Sequence, residues 1–120
     1  MKAQEIDAYF AQMAHVESDY KEEWDAYRFM VAQKMFAMRT IIGTSGTAIV
    51  TLKLPPQEGA YYREQYEFIT PGYYMNKVHW ISVPYEQAED ALLKELMDKA
   101  YTCGIQALPK KVQKQLLDDH

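Results

Sequence analysis

Apolar residues recur at helical spacing near both ends of the chain. Residues 3–15 are predicted to form an amphipathic helix, and its apolar stripe consists of Ile6, Tyr9, Phe10 and Met13. The strongest pattern covers residues 86–101, and its apolar face consists of Leu92, Leu93, Leu96, Met97 and Ala100. Gly104 is predicted to end this helix, because glycine readily adopts the left-handed conformation common at helix ends.

Two shorter helices are predicted beside prolines. Pro55-Pro56 end the segment before them, and residues 57–67 are predicted to be helical. Pro109 opens a last helix that runs to Leu117. Proline suits the first turn of a helix, because the N–H that it lacks has no partner within the helix there.

The middle of the chain alternates apolar and polar residues with the period of two that strands show. Strands are predicted over residues 26–31, 35–39, 48–54 and 79–83. Short turns at Ala32-Gln33 and at Gly43 to Gly46 join the first three. Such short connections predict an antiparallel meander, since parallel strands need a long crossover.

Before the first strand lies a polar segment, residues 17–25, that is rich in carboxylates. It is predicted to be a solvated loop, with cation binding as the alternative. The predicted elements together form one α+β domain over residues 1–120, with N- and C-terminal helices packed on an antiparallel sheet. The chain has enough residues for one core and too few for two.

Composition excludes several classes of protein. No apolar run is long enough to span a membrane, and residues 1–7 lack the apolar region of a signal peptide, so we expect a cytoplasmic protein without a membrane partner. The lone Cys103 is expected to be a buried small side chain, with a reactive thiol as the alternative. The three histidines, His15, His79 and His120, have no ligand spacing, so no metal and no cofactor are expected.

Charge is distributed unevenly along the chain. The net charge is −4, which disfavours non-specific attraction to polyanions. Residues 1–33 have three cations and seven acids, a net of −4, whereas residues 34–81 have five cations and three acids, a net of +2. Residues 82–120 have five cations and seven acids, a net of −2. The mildly basic middle permits a polyanion site without establishing one.

Candidate binding residues are concentrated in the segment ITPGYYMNKVHWISVP, residues 69–84. Pro71-Gly72 predicts a turn that presents the following side chains from a loop. In a functional interpretation, aromatic faces stack on a ligand while Asn76, Lys77 and His79 make polar contacts. In a structural interpretation, Trp80 and Tyr74 belong to the core and Asn76 bonds the loop backbone. We favour the structural interpretation for Trp80 and Asn76 and leave both open for Lys77 and His79.

Several blocks of sequence together resemble the MmcQ/YjbR family. They are KMFAM at residues 34–38, VTLK at 50–53, PGYYMNK at 71–77, and His79-Trp80. They follow the family's order of K-x-F-A, a strand ending in Leu-Lys, and P-G-x-x-x-N-K-x-H-W. The resemblance covers roughly residues 24–117. Where the family has glycine- and proline-containing stretches before its first strand, this chain has Glu17-Ser18-Asp19-Tyr20.

The resemblance implies a CyaY/frataxin-like fold and a non-catalytic DNA-binding role in which hairpin loops act as wings. It does not extend to frataxin's iron binding, because residues 3–15 contain only two acids. The residues expected to contact DNA or a ligand are Lys34, Arg39, Lys53, Tyr73, Tyr74, Asn76, Lys77 and His79.

Two other functions remain open from the residues alone. The tyrosine-rich composition also suits a module that binds another protein or a small ligand through the same loop, since tyrosine combines apolar area with a polar group. An enzyme is not expected, because no catalytic set can be assembled from these spacings. If catalysis occurred, His79 would be the acid–base candidate.

Overall fold

A computed structural model describes residues 1–73 and 75–118. Its helices are α1 (Ala3–Ala11), α2 (Pro56–Gln65), α3 (Asp90–Gln106) and α4 (Lys110–Asp118). Its strands are β1 (Val16–Lys21), β2 (Ala26–Val31), β3 (Lys34–Ile41), β4 (Ala48–Lys53), β5 (Thr70–Pro71) and β6 (Trp80–Val83). One turn of 3₁₀ helix, Glu22–Trp24, connects β1 to β2.

The six strands form one antiparallel sheet in the order β1-β2-β3-β4-β6-β5. The first four make a meander, of which the short turns predicted the β2-β3-β4 part. Strand β6 then pairs with β4, and the two-residue β5 closes that edge. The predicted α+β class is therefore confirmed, and the sheet has two more strands than predicted.

All four helices pack on one face of the sheet, which we call the helix side. Phe10 of α1 lies at its centre, with ring centroids 4.5 Å from Phe29 and 5.4 Å from Phe36. Leu93 and Leu96 of α3 are fully buried in the same cluster. Burying each such side chain contributes roughly 1.5–3 kcal/mol. This cluster is the hydrophobic core of the protein.

Four sequence predictions about the elements were wrong. Residues 17–25 were predicted to be a loop, but Val16–Lys21 is a strand. It lies at the sheet edge with its four central residues exposed, so no apolar alternation marks it. The first helix ends at Ala11 rather than near residue 15, where His15 adopts a positive φ of 65° and redirects the chain.

The third wrong prediction concerns Gly104, which lies inside α3 instead of ending it. A Cβ at this position would come within 2.8 Å of the Phe36 Cβ. Gly104 is therefore needed for the close approach of α3 to the sheet, not for a helix end. α3 also begins later than predicted, at Asp90, with only that acid in its first turn.

The β2–β3 hairpin has two irregular features. Its two-residue turn places Ala32 at φ 49° and Gln33 at φ 66°, as a turn of the primed type requires. Further along, Phe29 pairs with Ala37 while Met30 pairs with Met35, so Phe36 is an extra residue in β3. Such a bulge changes which side chains face each side of the sheet.

Candidate functional site

The face of the sheet opposite the helices, which we call the open side, is covered by two connecting segments. One consists of residues 72–73 and 75–79, before β6. The other is residues 22–25, between β1 and β2. Although no helix of the described chain covers this side, Met38, Ile49 and Trp80 are buried on it. The two segments therefore account for the burial of side chains on the open side.

Gly72 holds the first segment close to the sheet. Its N–H donates a hydrogen bond of 2.7 Å to the carbonyl of Trp80. A Cβ on Gly72 would lie 2.5 Å from the Trp80 Cβ, closer than any side chain allows. This contact explains the Pro-Gly sequence, since only glycine fits here.

Buried hydroxyl groups fix the segment beyond Gly72. The N–H of Tyr73 donates to Ser82 Oγ at 2.8 Å, and Ser82 Oγ lies 2.8 Å from Thr51 Oγ1. Thr51 and Ser82 are almost fully buried. Since buried polar groups without partners are costly, these contacts stabilise one placement of the segment.

A cleft of about 460 Å³ lies between the two segments. Its lining residues are Glu23, Trp24, Asp25, Met38, Thr40, Ile41, Gly43 and Met75. Strand β3 and the turn after it contribute the central part of the lining. The β1–β2 connection and Met75 contribute the rest. The volume lies in the range of roughly 300–1,000 Å³ that is common for small-molecule sites.

Trp24 is the large aromatic residue of this cleft. It is 48% exposed, although tryptophan usually buries most of its surface. The ammonium of Lys21 lies 5.4 Å, and the guanidinium carbon of Arg28 lies 5.9 Å, from its ring centroid. Both distances are within the range of weak cation–π attraction.

Asp25 joins the cleft to the helix side of the sheet. It adopts a left-handed conformation with φ 49°, and its carbonyl accepts a 2.7 Å hydrogen bond from Thr40 Oγ1. Its carboxylate accepts a 2.6 Å hydrogen bond from the Tyr20 hydroxyl. That hydrogen bond is the main reason the pKa of Tyr20 rises to about 12.

The cations predicted to bind DNA do not converge. Arg39 lies on the helix side, where its guanidinium makes two hydrogen bonds of 2.7 and 2.8 Å to Asp7. The same group stacks 3.9 Å above the ring of Tyr27. The hydrogen bonds to Asp7 are the largest cause of a raised Arg39 pKa. Arg39 is therefore already paired.

The three predicted lysines are spread over separate elements. Lys34 is exposed beside the β2–β3 turn. Lys53 pairs with Trp80 in the β4–β6 ladder and is half-buried. Lys77 is exposed in the segment before β6. DNA binding would need these cations together on one accessible side of the sheet, and their placement does not provide that.

The remaining predicted residues belong to the segment over the open side. Asn76 Oδ1 accepts a 2.8 Å hydrogen bond from the Val78 N–H, and Trp80 is 8% exposed, so the structural interpretation of both is confirmed. Tyr73 is half-buried and His79 is exposed. Tyr74 lies outside the described residues.

The cleft was not predicted from the sequence. Its neighbours Met38 and Met75 were noted only as parts of family blocks, and Trp24 was passed over inside the acidic segment. A tryptophan among carboxylates was the available indication, because a large apolar residue in a solvated loop has no evident packing role.

Other site classes find little support in the described part of the chain. Residues 1–73 and 75–118 contain no group of three or more His, Cys, Asp or Glu arranged to hold a metal. None of the described helices is long and apolar enough to cross a membrane. Cys103 is half-buried, and burial is the largest cause of its raised pKa, which disfavours the thiolate.

Comparison with known proteins decides the family. The model of the YjbR family matches residues 11–103. The chain belongs to the YjbR family. The resemblance inferred from the sequence blocks is thereby confirmed, and it reaches further toward the N-terminus than those blocks do.

Relatives of this YjbR-family chain occur in Escherichia coli. It is 35% identical over 89 residues to the uncharacterised protein YbdF of strain O157:H7, covering 73% of this chain and 71% of YbdF. It is 25% identical over 118 residues to the uncharacterised protein YjbR of strain K12, covering 98% of both chains. These names assign no activity.

Two solved structures share the fold of this YjbR-family chain. Deinococcus radiodurans protein DR2400, which has a DUF419 domain, superposes with a TM-score of 0.85 at 24% identity, over 96% of this chain and 87% of that one. A protein from Pseudomonas syringae superposes with a TM-score of 0.74 at 22% identity, over 87% of this chain and 99% of that one. The likeness to CyaY and frataxin stays a prediction.

Proposed function

We propose that this YjbR-family chain is a non-catalytic cytoplasmic module that binds a small organic ligand in the cleft on the open side of the sheet. The observation that supports this most strongly is the half-exposed Trp24 at a cavity of about 460 Å³. A pocket with apolar walls and a few polar groups is the usual form of a small-molecule site.

The lining of the cleft suits an adaptable pocket. Met38 and Met75 contribute to it, and methionine side chains adjust to irregular apolar shapes. Trp24 adds a rigid face on which a planar group can stack. The segment before β6 is held to the sheet by the backbone hydrogen bond of Gly72 and by Ser82. Its backbone is therefore fixed near the cleft before a ligand binds.

The DNA-binding role expected from the family resemblance is the competing proposal. It requires cations on one accessible face, whereas the guanidinium of Arg39 is paired with Asp7. Two carboxylates, Glu23 and Asp25, line the cleft itself. We therefore favour ligand binding over DNA binding, and each is tested by its own titration.

The test follows the methionine methyl resonances of the full chain by NMR as phenethyl alcohol is added. We expect the methyls of Met38 and Met75 to shift, while Met97, buried on the helix side, does not.

Trp24→Ala should weaken binding by about tenfold or more, because the stacking face is lost. Tyr61→Ala, which removes another exposed aromatic from α2, is the matched control. Equal affinity in the Trp24 variant, or shifts spread to Met97, would contradict the proposal.

A salt titration with a short DNA duplex tests the competing role. Each neutralised phosphate lowers log K by about 0.9 per tenfold rise in salt. We expect weak association that Arg39→Ala leaves unchanged, because Asp7 already holds that guanidinium. If Arg39→Ala and Lys77→Ala each weaken binding and flatten the salt dependence, DNA binding takes precedence.

A further inference from the structure

The charges around the cleft indicate which ligands it selects. Residues 16–31, which form the β1–β2 hairpin, contain five carboxylates and two cations, a net of −3. Glu23 and Asp25 line the cleft, and none of the described lining residues is a lysine or an arginine. The field inside the cleft is therefore negative.

The two cations of the hairpin only partly offset this charge. Arg28 is held by both carboxylate oxygens of Asp19. Lys21 lies 3.6 Å from Glu23, longer than the roughly 2.7–2.9 Å of a strong charge-assisted hydrogen bond. Asp25 forms no ion pair with any lysine or arginine in the described part of the chain. Its partner is the neutral hydroxyl of Tyr20. Asp25 thus stays available to a bound cation.

Trp24 adds a second attraction for positive charge. Its ring already has Lys21 and Arg28 at 5.4 and 5.9 Å, near the outer limit of cation–π contact. Arg28 is held by Asp19, and Lys21 lies beside Glu23 of the cleft. A ligand cation closer to the ring, with carboxylates beside it, would be attracted more strongly than either.

We infer that the cleft selects small organic cations, in which an ammonium or guanidinium group is attached to an apolar or aromatic body. The cationic group lies between Trp24 and the carboxylates of Glu23 and Asp25, and the apolar body contacts Met38 and Met75. This inference rests on the proposed function, because it specifies the ligand of the same cleft. The same field repels anionic ligands, nucleic acid among them.

Three probes of similar size test the charge preference. They are phenethylamine (a cation), phenethyl alcohol (neutral) and phenylpropionate (an anion), each added to the full chain while the Met38 and Met75 methyls are followed by NMR. We expect phenethylamine to bind about fivefold or more tightly than the alcohol, and phenylpropionate more weakly than both. Added salt should reduce the preference.

Two substitutions locate the source of the preference. Asp25→Asn keeps an acceptor for Tyr20 and tolerates the left-handed conformation, since asparagine adopts positive φ readily. In the Glu23→Gln, Asp25→Asn double variant, phenethylamine should bind no more tightly than the alcohol, while the alcohol's affinity is unchanged. Glu64→Gln on α2, far from the cleft across the sheet, is the matched control and should keep the preference.

The outcomes separate this inference from the proposed function. If all three probes shift the cleft methyls with equal affinity, the cleft binds ligands but the inference about charge is wrong. A cation preference that survives in the double variant would also overturn the inference. If no probe shifts Met38 or Met75, the proposed function and the inference both fail.

Discussion

The two sides of the sheet are built in different ways. On the helix side, regular elements present apolar stripes, and Phe10, Phe29 and Phe36 meet in a closed core. On the open side, two irregular segments cover the strands and leave a cleft with Trp24 half exposed. The helix side therefore determines stability, and the open side has the surface that is free to bind.

The comparison is tested most strongly by removing one large aromatic from each side. Phe10→Ala should lower the free energy of unfolding by about 3–5 kcal/mol, because it leaves a cavity in a closed core. Trp24→Ala should lower it by less than about 1 kcal/mol, since the ring is half exposed. Urea unfolding measures both. Equal losses would show that the open side supports the fold as much as the helices do.

Gly72 is the position on the open side where a substitution should destabilise the fold as a core substitution does. Gly72→Ala should lower the free energy of unfolding by about 1–3 kcal/mol, because the new methyl group would overlap Trp80. It should also weaken phenethylamine binding by moving Met75. Gly43→Ala is the control for stability alone, because a Cβ at Gly43 would have no neighbouring atom within 4 Å. An unchanged unfolding midpoint in Gly72→Ala would mean that the segment is not fixed to the sheet.

The smallest expected effect concerns Tyr20, whose hydroxyl donates to Asp25 from the helix side. The folded state raises the pKa of Tyr20 from 10.0 to about 12, so this hydrogen bond stabilises the fold fully below pH 10.0. Its contribution is lost as the pH rises from 10.0 to about 12. The difference in urea midpoint between the protein and Tyr20→Phe should shrink over that range, and a constant difference would contradict the assignment.

Most of the helix side could be predicted from sequence. The periodic stripe of Ile6 and Phe10, and that of Leu93 and Leu96, lie on buried faces as predicted. Periodicity succeeds there because each helix buries one continuous face. It failed at Gly104, because the close approach of Phe36 is a contact between residues distant in sequence.

The open side was much harder to predict. Strand β1 is an exposed edge without apolar alternation, so its sequence is typical of a loop. The cleft joins Trp24, Met38 and Met75 from three separate parts of the chain, and no local spacing relates them. The sequence did identify residues 69–84 as unusual, but Lys77 and His79, two of its candidate binding residues, are exposed and do not line the cleft.

The bulge at Phe36 has a consequence for how this site arose and how it can be redesigned. Side chains alternate across a strand, so one extra residue exchanges the sides of everything after it. If β3 kept Phe36 but paired with β2 residue for residue, Phe36 would lie opposite Phe29, Met38 and Thr40 would face the helices, and Ala37 and Arg39 would lie on the open side. The bulge thus keeps the thioether of Met38 at the cleft and the guanidinium of Arg39 on the helix side, and deleting Phe36 together with its bulge would leave both where they are.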